Sequence, residues 1–189
     1  MKKFQTKKIV GIAMLAALGY VLMIVGFPIP FLPTYMKVDF SDIPALLGMF
    51  LYGPWAGVGI ALIRNLLHFI TSGDITGIPI GEFANFISCL AYILPIYWFM
   101  KQSTSMKRMI GAGILGTLSL TIVMSVLNWF VLTPLYAHVL GMNFGPIQTV
   151  VLLGVLPFNL LKGILVSGVF AIVYVKMASW IEHARLKTS

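Results

Sequence analysis

The sequence predicts an all-α membrane protein: six transmembrane helices, N- and C-termini cytoplasmic, and a re-entrant-like first loop capping an outward-side pocket. Three observations predict it. Hydrophobic residues make up 59% of the 189-residue chain and charged residues only 10%. The mean hydropathy is +0.98, far above that of soluble globular domains. The apolar residues also fall in long runs, at 9–27, 43–70, 78–100, 109–132 and 147–175, each long enough to cross a bilayer. The chain therefore reads as a single integral membrane domain over 1–189, with no internal repeat and no separate extramembrane domain.

The opening MKKFQTKKIVGIAMLAALGYVLMIVGF joins a basic start to an apolar run, as a signal peptide does. Its apolar part, Ile9 to Phe27, is 19 residues, longer than a signal h-region and long enough to span. It is expected to be an uncleaved first helix, 9–27. The next stretch, FPIPFLPTYMKVDFSDIP, places prolines at 28, 30, 33 and 44, and the first three remove backbone donors and break any continuous helix. Its side chains are nonetheless apolar. Lipid offers no hydrogen bonds, so non-helical backbone at membrane depth must be buried in protein or line a cavity. A cavity is the reading this loop suggests.

The second run is split by the turn signal Gly53-Pro54, giving helices at about 43–52 and 55–71. At 1.5 Å per residue the shorter one covers about 15 Å, half the hydrocarbon core. The loop before it must then dip inward, which puts Tyr35 to Ser41 above or within the bundle. Helices at about 78–100, 109–132 and 147–175 complete the set.

Charge supports six crossings over five. Six put Lys2, Lys3, Lys7, Lys8, Lys101, Lys107, Arg108, Lys176, Arg185 and Lys187 on one side, ten of thirteen basic residues, as the positive-inside tendency requires. Lys37 alone lies opposite, and Arg64 and Lys162 lie within helices. The net charge of +8 is thus a signature of topology rather than of nucleic-acid binding. Asp39, Asp42, Asp74 and Glu82 fall toward the outer side.

Polar residues inside apolar runs are the functional candidates. Lys162 sits mid-run, where an isolated cation costs about 2.5 to 3.5 kcal/mol, so it needs a partner. Asn159 precedes it by three residues on the same helical face, and Asn128 lies toward the outer end of the fifth helix. These three either clasp the last two helices together or converge on a ligand bearing ring nitrogens and carbonyls. Glu82 and Asn85 open the fourth helix, where a carboxylate also suits the helix dipole. Arg64 and His68 read as structural, with Arg64 snorkelling to water or pairing with an outer acid. Asp42, before Ile43-Pro44, fits a helix N-cap, an explanation that Asp39 lacks. Cys89, the single cysteine, reads as inert packing, and His138 and His183 have no metal-ligand spacing. No nucleophile elbow, phosphate loop or zinc motif is present; the pattern is not that of an enzyme, and neither a cofactor nor a metal is expected. Ala13 and Ala17 form a small-xxx-small pattern on the first helix, a spacing that permits close helix approach in lipid.

The stretch VDFSDIPALLGMFLYGPWAG (38–57), the Ala13-x-x-x-Ala17 pattern, six helices in under 200 residues and the basic ends together resemble the substrate-binding S components of energy-coupling factor (ECF) vitamin transporters. Within that family the resemblance is to the riboflavin-specific member, and it covers nearly the whole chain. It implies a vitamin held near the outer face under the first loop as a lid. It also implies a helix-1 alanine pattern, Ala13 and Ala17, docking on a transmembrane coupling protein that carries two cytoplasmic ATPase subunits. On this reading Asn128, Asn159 and Lys162 meet the flat ring system, while Glu82, Asn85 and Asp39 meet the ribityl hydroxyls. Tyr35, Phe40 and Leu46 complete the candidate set. Another vitamin, thiamine or a folate, would leave the class unchanged. A small channel would need a continuous polar path that the inner halves of the last three helices lack.

Overall fold

The computed structural model describes residues 2–30, 36–72, 79–101, 105–141 and 145–186. Helix α1 (Lys2–Ile24) leads into a two-stranded antiparallel ladder, β1 (Phe27–Pro28) with β2 (Lys37–Val38), in which Phe27 faces Val38 and Pro28 faces Lys37. α2 (Asp42–Tyr52) and α3 (Pro54–Ser72) follow, then α4 (Ile80–Met100). α5 (Met106–Leu127) runs through a π-helical turn (Asn128–Leu132) into α6 (Thr133–Leu140). In the same way α7 (Ile147–Thr149) continues through a second π-helical turn (Val150–Val155) into α8 (Leu156–Leu186).

Four of the described helical stretches are long and apolar enough to cross a membrane: Thr6–Ile24, Ile80–Met100, Met106–Val139 and Ile147–Met177. Asp42–Tyr52 is apolar but shorter, and α3, though continuous, carries Arg64, Asn65 and His68 in its apolar run. The chain is an all-helical membrane protein.

α1 stops at Ile24, short of Phe27, and its last turn tightens to a bond from Gly26 N to Met23 O. The residues after it are taken by the ladder, and Pro28 sits where a strand edge tolerates a missing donor. Over its described residues the first loop is an antiparallel pairing of two short strands. Its returning strand turns inward: Met36, Val38, Asp39 and Ser41 are buried, and a Cβ added at Gly154 in the second π-helical turn would stand 3.8 Å from Met36 Cε.

Gly53 closes the α2–α3 turn with φ +97°, a backbone state that side chains resist. Asp42 and Arg64 each lie about ten residues from that turn, which sets them at the same height on neighbouring helices. α8 descends beside α2 in register, so that Lys162 meets Asp42 and, eight residues further along each helix, Phe170 meets Phe50. Phe50, Tyr97, Phe170 and Tyr174 form an aromatic layer across α2, α4 and α8, with ring centroids 5.4 to 6.1 Å apart. α4 and α5 approach closely at Gly116, where an added Cβ would stand 3.0 Å from Tyr92 O. Small residues at such crossings let helices pack in lipid without a hydrophobic drive.

Candidate ligand-binding site

The polar side chains gather above the aromatic layer, toward the end of the bundle that carries the hairpin. Asp42 is the centre. It lies in the first turn of α2 and is 1% exposed. Its Oδ1 accepts a hydrogen bond from Arg64 Nη2 at 2.6 Å, and its Oδ2 lies 3.6 Å from Lys162 Nζ. Arg64 is fully buried and Lys162 is 4% exposed. The expectation of Asp42 as an N-cap is thereby corrected: Ser41 occupies the cap position, without a side-chain cap bond, and Asp42 is the shared counterion of two buried cations. Two uncompensated charges in this interior are far more costly than one missing cap.

Asp39 takes the local role instead. Its Oδ1 accepts from Ser41 N at 2.9 Å and from Ser41 Oγ, so it shapes the turn entering α2. It is 6% exposed and lies near enough to act on both Arg64 and Lys162. Asp39, Asp42, Arg64 and Lys162 thus form a buried cluster of balanced charge. Arg64 does not snorkel to water. Its Nη2 also reaches Asn85 Oδ1 at 3.5 Å, which ties α3 to α4, while Asn85 Nδ2 points to Met23 Sδ on α1 at 3.7 Å.

One turn above Arg64, His68 Nδ1 lies 2.7 Å from Glu82 Oε1. Glu82 therefore has a side-chain partner beyond its place in the first turn of α4. Its second oxygen, Oε2, is buried without a hydrogen-bond partner among the described residues, as are Arg64 Nε and Nη1 and Asp42 Oδ2. Unpaired polar atoms of this kind are costly to leave dry.

Asn128 and Asn159 are not joined to Lys162 or to each other by any hydrogen bond described. Each amide donates to its own helix, Asn128 Nδ2 to Met124 O and Asn159 Nδ2 to Val155 O, both at 2.8 Å. The clasp considered between the last two helices is replaced by an ion pair from α8 to α2, because a buried ammonium seeks a carboxylate before an amide. Asn128 opens the first π-helical turn, and Asn159 follows the second; such turns are rare and recur at functional sites.

Phe40 is half-buried, its ring centroid 6.4 Å from that of Phe27, so it seats the hairpin on the bundle. Leu46 is fully buried in the core of α2. Tyr35 lies outside the described residues. Ala13 and Ala17 face outward on α1 among Ile9, Met14 and Leu18, while Ala16 is buried against the bundle. Cys89 is fully buried beside Asp42. An apolar groove of about 410 Å³ lies elsewhere, along the α5–α8 flank between Gly113, Thr117, Ile164 and Gly168; none of the candidate residues lines it.

Pairing with an outer acid, one of the two readings open for Arg64, holds; Asp42 as that acid, and as the partner of Lys162, was masked by its fit to a helix cap. The signal was present in Lys162, a mid-run cation that demanded an acid.

The family described as ECF transporter, substrate-specific component, matches residues 7–174. Riboflavin transporter FmnP of Bacillus subtilis (strain 168) is 40% identical over 184 residues, covering 96% of this chain and 97% of that protein. Riboflavin transporter RibU of Staphylococcus aureus (strain TCH60) is 41% identical over 181 residues, covering 95% and 94%. A solved structure of the S component of a bacterial ECF transporter superposes with a TM-score of 0.79 at 41% identity, covering 94% of this chain and 98% of that one. With its helical membrane fold and a match across nearly its whole length, the chain belongs to the substrate-specific S components of ECF transporters.

Proposed function

We propose that this chain is the riboflavin-binding membrane subunit of an ECF-type, ATP-driven vitamin importer. The observation that carries the ligand is that relatives at 40% and 41% identity, matched almost end to end, are both riboflavin transporters. The chemistry agrees. A flavin has a flat apolar tricycle edged with carbonyls and ring nitrogens, and a hydroxylated ribityl chain. Asn128, Asn159 and Lys162 supply donors and acceptors for the ring edge, and Glu82, Asn85 and Asp39 supply partners for hydroxyls. Tyr35, Phe40 and Leu46 are the proposed walls.

In this reading both termini are cytoplasmic, the hairpin end faces outward, and residues 28–42 close over the bound vitamin. The burial of Met36 and Val38 supports a loop that seals against the bundle. The aromatic layer below the polar cluster argues against a channel, since a pore needs a polar path past Phe50 and Phe170. No chemistry on the vitamin is required: capture is followed by reorientation driven by ATPases on a coupling protein. Ala13 and Ala17, exposed on α1, are the proposed docking surface.

The ligand is tested by the absorbance spectrum of protein purified in detergent from riboflavin-containing medium. A flavin band that stays with the protein through size exclusion is expected. A flavin-free spectrum that stays featureless after incubation with riboflavin and removal of the excess would overturn the assignment.

A further inference from the structure

We infer that Asp42 is the positioning residue for Lys162: anchored by Arg64, its carboxylate holds the Lys162 ammonium at the place where it meets the vitamin. This rests on the reading of Lys162 as a ligand contact. Asp42 Oδ1 is fixed by the 2.6 Å bond from Arg64 Nη2, between two helices joined by the tight Gly53 turn. Oδ2 is the oxygen nearer Lys162 on α8, and the buried Cys89 thiol of α4 lies beside the same carboxylate. Oδ2 accepts no hydrogen bond among the described residues and stands 3.6 Å from Lys162 Nζ, beyond hydrogen-bond length.

The ammonium is therefore attracted without being saturated. It carries three donors, which leaves N–H groups for a carbonyl or ring nitrogen of the ligand. Asp39 adds the second negative charge near the two cations. The cluster balances without the ligand, so a neutral ligand leaves no excess charge buried. Without Asp42, a lysine 4% exposed has to lose its proton, withdraw or drag in water, and each of these removes it from the ligand.

The test is a double-mutant cycle read by riboflavin titration of purified protein, with the visible absorption of the bound flavin as a second readout. Lys162→Met and Asp42→Asn are each expected to weaken binding about tenfold or more, the range of a hydrogen bond to a charged group. The double variant is expected to bind like Lys162→Met alone, with the same change in the flavin band in all three. Independent losses that multiply, or a normal flavin band in Asp42→Asn, overturn the inference while leaving Lys162 as a contact. Unchanged affinity in Lys162→Met instead overturns the contact reading and this inference with it. Where Asp42→Asn strands Arg64 and fails to fold, the paired Asp42→Asn and Arg64→Gln variant carries the test. A loss matching that of Lys162→Met is expected, and wild-type affinity overturns the inference.

Discussion

Phe50 stacks on Phe170 with ring centroids 6.1 Å apart and planes 18° from parallel, one helical register below the pairing of Asp42 with Lys162. The same two helices thus carry a polar layer and an aromatic floor, about 12 Å apart at 1.5 Å per residue. Phe50→Ala is expected to destabilise the protein by about 3 kcal/mol, at the low end for such truncations, because lipid supplies little hydrophobic drive. Riboflavin affinity of the folded fraction should stay near wild type. Thermal unfolding in detergent beside ligand titration checks both halves. Lost affinity at unchanged stability would place Phe50 in the binding site instead.

Glu82 is the second test. Its Oε1 is held by His68 while its Oε2 is buried without a partner among the described residues, an arrangement that suits a carboxylate oriented for a hydroxyl. Glu82→Ala should weaken riboflavin binding by about 1.5 to 3 kcal/mol, as for hydrogen bonds to charged groups, and His68→Ala, which keeps the carboxylate, by less. Equal effects on stability with none on affinity would make the pair a brace between α3 and α4.

Membrane class, helical content and the break at Gly53-Pro54 were legible because each depends on local composition: run length, hydropathy, and a glycine-proline turn. The demand for a partner at Lys162 was legible for the same reason. Its identity was not. Asp42 stands far away in the chain, at a helix start where capping offered a competing local explanation, and only the height of α2 in the bundle brings it level with Arg64 and Lys162. For Arg64 water and an outer acid both stood open, since a position toward a helix end says nothing of depth when the neighbouring helix is half-length, and the acid is what it meets. The Phe27–Pro28 ladder was hidden because prolines argue against strands, and only a two-residue edge tolerates one.

The first loop supplies the third prediction. With Cys89→Ala as background, Tyr35→Cys should react with a membrane-impermeant thiol reagent faster without riboflavin than with it. Equal rates in the two conditions would mean that the loop does not close over the site.

The fourth separates binding from transport. Ala13 and Ala17 point away from the bundle, so Ala13→Trp and Ala17→Trp should leave riboflavin affinity within about twofold while abolishing co-purification with the coupling protein and its ATPases, since docking between helices in lipid depends on close contact. Ala16→Trp, at a position 1% exposed, should instead impair folding. Loss of ligand binding in the first two variants, with assembly retained, would assign those alanines to packing within this chain.

The most direct measurement is an equilibrium titration of ligand-free protein in detergent, following flavin fluorescence, with thiamine and folate as competitors. Saturable quenching by riboflavin at one site, unaffected by either competitor and weakened by about 1 to 3 kcal/mol in Asn128→Ala, is the predicted result. Folded protein that gives no saturable quenching, or whose riboflavin is displaced by thiamine or folate, would contradict the account.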